Sequence, residues 1–358
     1  MQEKSKLRVH VIGGARPNFI KIAPLLKLLD EHDLFETRFI NTGQHYDSKL
    51  CDNILSDLDL RSPDINLNVG SFSNISQISK IMIRYENYLK KNIADLAIVF
   101  GDVNSTLAAA LTAKKLGIKI AHVEAGLRCY DDSLPEEVNR RLTDSISDYF
   151  FIPSSNEKIN LNKENITDNI FLVGNIMIDS LKIILKKSIH LDKKTKKKFA
   201  LVTLHRPENV DDIEKFSNII DTLDNLSKKI NLIFPIHPRT KKSLIKFNLN
   251  KRIRSIKNLK INDSFGYKEF LNHMKNSEFV ISDSGGVQEE TSFFGVPCFT
   301  LRKNTERPIT ITQGNNHLVT LKNLEEKIKL RRKKKVKIYN WDGETAKRII
   351  KILEEMYK

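Results

Sequence analysis

LAIVFGDVNSTLAAALTAKKLGIKIAHVEAG, residues 96–126, carries two strand patterns around one helical segment. LAIVF is an apolar run that stops at Gly101. STLAAALTAKKLG has helical period, and IKIAHV is apolar and β-branched again. Strand, helix, strand in that order is a βαβ unit, which joins parallel strands. Working outward, the alternation continues. LRVHVIG (7–13), TRFINTG (37–43) and YFFIPS (149–154) read as strands, and IAPLLKLLDEH, ISQISKIMIRYENYLKK and NRRLTDSISD as the helices between them. A second series begins near residue 199 with FALVTLH, INLIFPIHP, NLKIND, FVISDSGG and VPCFTLR. The expected fold is therefore α/β, with two parallel-sheet domains facing a ligand cleft. The boundaries read as 1–175 for the first domain and 176–340 for the second. The amphipathic segment TAKRIIKILEEMYK lies in a tail, 341–358, that packs back on the body.

Composition narrows the partners. The chain has 358 residues, 40% of them hydrophobic, an ordinary share for a globular protein. No run of about 18 apolar residues occurs, which excludes membrane insertion through a spanning helix. The N-terminal MQEKSKLRVHVIGG has no signal-peptide pattern, so the expected location is cytoplasmic. Three cysteines, Cys51, Cys129 and Cys298, without paired spacing suit neither a disulfide framework nor a metal site. The net charge of +16 is spread out, with dense clusters only at Lys193–Lys198 and Lys327–Lys337. No aromatic residues interleave with these clusters and no nucleic-acid motif accompanies them, so a nucleic-acid partner is not expected. A basic chain does attract a doubly phosphorylated substrate or an anionic membrane surface.

The chemistry sits where strand patterns end. ISDSGGVQEETSFFG (281–295) runs from a strand into Ser284, Gly285 and Gly286 and then directly into a helix. Glycines let backbone approach an anion, and the free N–H groups of a helix start point at it. One of Glu289 and Glu290 is placed to accept from ribose hydroxyls; a capped turn is the other reading. GGARPNFIK (13–21) is not G-x-G-x-x-G, so no dinucleotide cofactor is expected. Its Arg16 and Lys21 suit phosphate clamping or a solvated surface. Further tips carry Asp102, then His122, Glu124 and Arg128, then His205 and Arg206. LPEEVNRR opens a helix with Glu136, Glu137, Arg140 and Arg141. Acids on successive tips, Asp102 and Glu124, suit general acid/base work. Taken singly, each also reads as a cap or an ion pair. Arg307, in LRKNTERP, is placed to close over a phosphate.

In order along residues 8 to 320, GGARPNFIKIAPL, NTGQHYD, FGDVNSTLAAAL, AHVEAGLR, LPEEVNRRLTD, LVGNIMID, VTLHRPENV, FPIHPRT, ISDSGGVQEE, FGVPC and LRKNTERP resemble the non-hydrolysing UDP-N-acetylglucosamine 2-epimerase family. The resemblance implies a GT-B-like fold of two Rossmann-like domains, a UDP-sugar in the cleft, no cofactor, and a homodimer. It implies acid/base roles for Asp102, Glu124 and Glu136, and substrate or phosphate contacts for Arg16, Lys21, Arg140 and His205, with Arg140 and His205 needed for activity and His205 counted with the catalytic residues. Ser284, Gly285 and Gly286 resemble the diphosphate loop, Glu290 the ribose ligand, Arg307 a further UDP contact and Phe270 a residue near uracil. Two departures stand out. Asn18 follows Arg-Pro where some members have Glu. Gln44 and His45 match half of the regulatory set of some bacterial members, but LNVGSFSNISQ lacks the Arg-Gln half.

Chemistry gives the route. The C2 proton of an N-acetylhexosamine lies beside an acetal, so deprotonation alone gives no stabilised carbanion. Without a dinucleotide the remaining path is anti elimination of UDP to 2-acetamidoglucal, then re-addition to give UDP-N-acetylmannosamine. Rival readings are a 2-epimerase of a modified sugar such as UDP-2,3-diacetamido-glucuronic acid, a hydrolysing epimerase, a GT-B glycosyltransferase, and a nucleic-acid-binding protein.

Overall fold

The computed structural model describes residues 6–43, 57–187, 197–331, 333 and 335–357, which fall into two compact units. In the first unit, strands β1 (Leu7–Gly13), β2 (Phe35–Asn41), β3 (Ile65–Asn66), β4 (Leu96–Phe100), β5 (Lys119–Val123), β6 (Tyr149–Ile152) and β7 (Ile170–Leu172) form one sheet in the order β3-β2-β1-β4-β5-β6-β7. Every neighbouring pair is parallel. β4 is wholly buried, each of its five residues at 0% exposure, because helices cover both faces of a parallel sheet. The helix Asn104–Lys115 meets it through Ala108, Ala109, Ala110 and Ala113, whose small side chains allow close approach.

The second unit repeats the pattern. Strands β8 (Phe199–Thr203), β9 (Asn231–Ile236), β10 (Leu259–Asp263), β11 (Val280–Ser282), β12 (Cys298–Thr300) and β13 (Asn316–Leu318) run in the order β10-β9-β8-β11-β12-β13, again parallel. Its core gathers Val202, Phe216, Ile220, Phe234, Phe279 and Phe299. Both sheets have the Rossmann order, and each reverses direction once, at β1/β4 and at β8/β11. Open α/β sheets take ligands beyond the carboxyl ends of the strands at such a point. Two Rossmann-like units of this kind in one chain make the fold GT-B-like.

The units part after Lys186, not after residue 175. The helix Ile176–Lys187 stays with the first unit because Ser180 Oγ donates to the Ile20 carbonyl and Asp179 Oδ2 accepts from Ala346 N at 2.8 Å. Residues 339–358 belong to the first unit too. Trp341 Nε1 donates to the Pro153 carbonyl at 3.1 Å, and the helix Thr345–Tyr357 packs on the helix Arg16–Asp30. Among the described residues no helix is long and apolar enough to cross a membrane.

Candidate active site

In the first unit the tips of β4 and β5 lie side by side, with Phe100 in register with Val123. Asp102 and Glu124 therefore leave neighbouring strands at the same edge. Between them Gly101 turns with φ +66°, and a Cβ there would sit 2.7 Å from Lys21 Nζ. A side chain at this left-handed position would be strained and would displace that lysine from its place. Lys21 comes from the helix Arg16–Asp30 and forms an ion pair with Glu124, the two side chains being 7% and 4% exposed. Glu124 itself takes φ +74°, a left-handed backbone that an L side chain adopts at a cost of about 1–2 kcal/mol. Asn18 organises the first turn. Its Oδ1 accepts from Gly14 N and Ala15 N, and its Nδ2 donates to the Phe100 carbonyl at 2.8 Å.

Asp102 is paired with Arg140, which also donates from Nε to Glu137 at 2.9 Å. Glu137 is 0% exposed and accepts from Cys129 N and Tyr130 N, which ties the loop after β5 to the helix Pro135–Ile146. Burial pushes the Glu137 carboxyl up, but Arg140 and the two backbone N–H groups outweigh it and hold it below the ordinary range. Glu136, one residue earlier, is exposed. This helix is inside out. It buries Glu137, Asn139, Arg140, Thr143 and Asp144 and leaves Val138 and Leu142 40% and 48% exposed.

His122 and Arg128 are framework groups, although the sequence places them at a tip. His122 is fully buried, with Nδ1 2.7 Å from Asp144 and Nε2 2.8 Å from the Gly101 carbonyl. Arg128 bridges Asp144 and Glu164. Cys129 and Cys298 are inert by the same logic, since burial pushes each thiol up to about 11.

In the second unit Asp283, at the tip of β11, is 0% exposed. It accepts from His205 N, Arg206 N and Asn209 Nδ2, so one carboxylate shapes the whole loop after β8. His205 Nδ1 lies 3.2 Å from Asp283 Oδ1, and the imidazole is about one-third exposed. Burial lowers its pKa, Asp283 opposes this, and Arg206 and Arg239 add to the lowering, with a net downward shift. A neutral ring with Nδ1–H toward Asp283 leaves Nε2 as the outward atom. Next to it the helix Gly285–Phe294 begins. Ser284 is its N-cap, yet the hydroxyl makes no capping bond, and Ser284, Gly285 and Gly286 are all half-exposed. The helix start thus presents N–H donors and a hydroxyl outward.

The remaining predicted residues are set deeper. Glu290 is 4% exposed and accepts from Tyr267 Oη at 2.6 Å. Arg307, at 7% exposure, is ion-paired to Glu289 at 2.8 Å and to Glu306. Phe270 packs with Met274, Val280, Val287 and Cys298. Gln44 and His45 lie outside the described residues, as does the Arg16 side chain. The structure brings together Lys21, Asp102, Glu124 and Arg140 in one unit, and His205, Ser284, Gly285 and Gly286 in the other. Sequence reasoning gave no role to Glu137 or Asp283. For Glu137 the available signal was spacing, because 137, 140 and 144 fall on one helix face. Among the described residues no group of His, Cys, Asp and Glu is set to hold a metal ion.

Comparison with known proteins fixes the family. The family model described as UDP-N-acetylglucosamine 2-epimerase matches residues 27–354. The chain belongs to that family. Such epimerases are isomerases. The chain is 42% identical to UDP-N-acetylglucosamine 2-epimerase of Methanocaldococcus jannaschii over 97% of its own length and 99% of the relative's. The crystal structure of M. jannaschii UDP-GlcNAc 2-epimerase in complex with UDP-GlcNAc and UDP superposes with a TM-score of 0.89 at 39% identity, covering 98% of this chain and 100% of that one. UDP-2,3-diacetamido-2,3-dideoxy-D-glucuronate 2-epimerase of Pseudomonas aeruginosa is 34% identical, over 87% of this chain and 88% of its own.

Proposed function

We propose that the chain interconverts UDP-N-acetylglucosamine and UDP-N-acetylmannosamine by elimination and re-addition of UDP. The observation that carries this reading is the pair of carboxylates, Asp102 and Glu124, on adjacent strand tips beside the sheet's switch point, each held by its own cation. In the forward step a base takes the C2 proton. The C2–H electrons form the C1=C2 bond, and the C1–O bond breaks with its pair going to the β-phosphate oxygen. In the return step UDP attacks C1 while a proton reaches C2 from the opposite face. The two proton transfers fall to the set Asp102, Glu124 and Glu136. In the other unit, His205 and the Ser284-Gly285-Gly286 helix start stabilise the departing diphosphate, the place where negative charge grows. Glu290 and Arg307 complete the nucleotide side.

Incubating UDP-N-acetylglucosamine with the chain in D2O, without NAD, tests this by proton NMR. Deuterium should enter at C2 as the two sugars equilibrate. Protium retained through turnover would exclude elimination. Presenting the diacetamido-glucuronate substrate in parallel decides between the two activities named among the relatives.

A second copy completes the reading. Ile75, Ile83, Val138 and Leu142 are 77%, 57%, 40% and 48% exposed on helices of the first unit. We infer a homodimer through this layer, and Ile75→Asp with Leu142→Asp should leave a monomer in sedimentation equilibrium. A parent chain that sediments as a monomer would overturn the inference.

A further inference from the structure

Described residues of the two dense lysine runs meet in the second unit. Lys197 and Lys198, which lead into β8, line one pocket together with Lys329 and Arg331, which lie at the end of the helix Leu321–Lys329, and with Lys229 and Glu325. Five cations thus surround a single carboxylate. Lys229 pairs with Glu325 at 2.5 Å, while Lys197, Lys198 and Lys329 have no carboxylate partner among the described residues. Inside the cationic rim the lining is apolar, from Leu226, Ile230, Phe279 and Ile328. Arg331 lies 5.0 Å over the Phe279 ring. Between Lys329 and Arg331, Leu330 is 67% exposed, and Lys333 and Lys335 continue the exposed basic segment.

Position adds a constraint. Lys198 immediately precedes β8, Asn231 begins β9 and Phe279 precedes β11, so the pocket opens at the amino ends of the strands. His205 and Ser284 follow the carboxyl ends of β8 and β11. Five residues of strand, about 17 Å, separate the two ends. Whatever covers the basic end leaves the diphosphate end open.

We propose that this basic end is a docking surface for an anionic membrane. Its cations meet lipid phosphates, and Leu330 enters the apolar boundary beneath them. A soluble phosphate has no use for an apolar lining or an exposed leucine. A single-stranded nucleic acid would need an exposed aromatic face on which to stack, and Phe279 is 1% exposed. A cationic rim around an apolar tip is the composition of surfaces that lie on membranes without crossing them.

The test uses the full chain and vesicles, with phosphatidylcholine alone or with phosphatidylglycerol added, in a sedimentation assay. Binding should require phosphatidylglycerol and weaken as salt rises above about 0.1 M. The triple variant Lys197→Glu, Lys198→Glu, Lys329→Glu should lose at least about a hundredfold in vesicle affinity, since each cation near an anionic surface contributes roughly fivefold. The corresponding triple alanine variant should lose less, and Leu330→Asn about tenfold. Thermal melting and UDP-sugar turnover in free solution should match the parent in all three. These readings are independent of the epimerase assay, so one can fail without the other. No binding to anionic vesicles overturns the proposal, as does a triple variant that binds like the parent. Displacement from vesicles by millimolar glycerol phosphate, or by RNA with no preference for lipid, also overturns it. Unchanged affinity in Leu330→Asn removes its apolar half.

Discussion

The tips of β4 and β5 and the tips of β8 and β11 lie at the carboxyl edges of two similar sheets, the second pair at its switch point and the first beside its own, yet their charges are managed in opposite ways. In the first unit the functional acids meet cations already in place: Glu124 with Lys21, and Asp102 with Arg140, which Glu137 holds from behind. In the second unit the buried carboxylate Asp283 spends itself on backbone N–H groups, and the donors of the Ser284 helix start are left facing outward. Proton transfer needs a carboxylate of fixed position, and a neighbouring cation holds it there. Stabilising a leaving anion needs donors with nothing else to bond.

The amide substitutions press hardest on this contrast. Asp102→Asn, Glu124→Gln and Glu136→Gln should each lose roughly 10²–10⁴ in turnover, with UDP affinity by calorimetry nearly unchanged. Stability should separate the three. Glu124→Gln leaves a buried Lys21 unpaired and should cost about 3–5 kcal/mol in chemical denaturation. Glu136→Gln, at an exposed position, should cost almost nothing. Normal turnover in all three would reduce the acids to caps and ion pairs.

Within the second unit, Arg307 and His205 should part company. The sequence reads both as contacts of the substrate or its phosphates. The structure buries Arg307 between Glu289 and Glu306, so Arg307→Ala should cost about 3–5 kcal/mol of stability. His205→Ala should instead weaken UDP binding by about 1.5–3 kcal/mol and leave the melting transition in place. Equal stability losses would erase the distinction between a buried clamp and an outward donor.

The smallest effect concerns a buried carboxyl that forms no ion pair among the described residues. Burial pushes Asp179 up to about 6, against the N–H groups of Thr345 and Ala346 and the Thr345 hydroxyl. Because the folded value exceeds the unfolded one, the proton favours the fold, and stability declines as pH rises from about 4 through 6. His10, lowered to about 4 by burial, has the opposite sign: its contribution is lost as pH falls from about 6.5 to 4. Asp179→Asn isolates the first term. The variant should gain on the order of 2 kcal/mol over the parent at pH 7, and the gain should vanish near pH 4. A difference independent of pH would contradict the assignment.

The strands were legible because β4 and its neighbours are continuous apolar runs bounded by glycine, and only a two-sided parallel sheet buries such runs completely. The tips were legible for the same reason, since chemistry-bearing residues begin where the apolar run stops. What lies behind the tips was not. Glu136 and Glu137 are adjacent and chemically alike, and only the rotation of their helix decides which one meets Arg140. His122 looked like a tip residue because it is one place from the end of β5, but strand alternation turns it inward to Asp144. The domain boundary was misplaced because Asp179 and Ser180 make their decisive bonds to Ala346 and Ile20, far away in sequence. Arg307 looked available for a phosphate because Glu289 stood in a segment read for another purpose and Glu306, its neighbour in sequence, was given no role.

The inside-out helix Pro135–Ile146 also bears on how the chain folds. Hydrophobic collapse would favour turning Val138 and Leu142 inward, roughly half a turn from the native orientation. The native rotation is held by directional polar bonds from Glu137, Arg140 and Asp144, which require the loop after β5 to be in place first. This helix is therefore expected to settle late, after the sheet. Substitutions along its buried polar face should speed unfolding while barely changing the refolding rate.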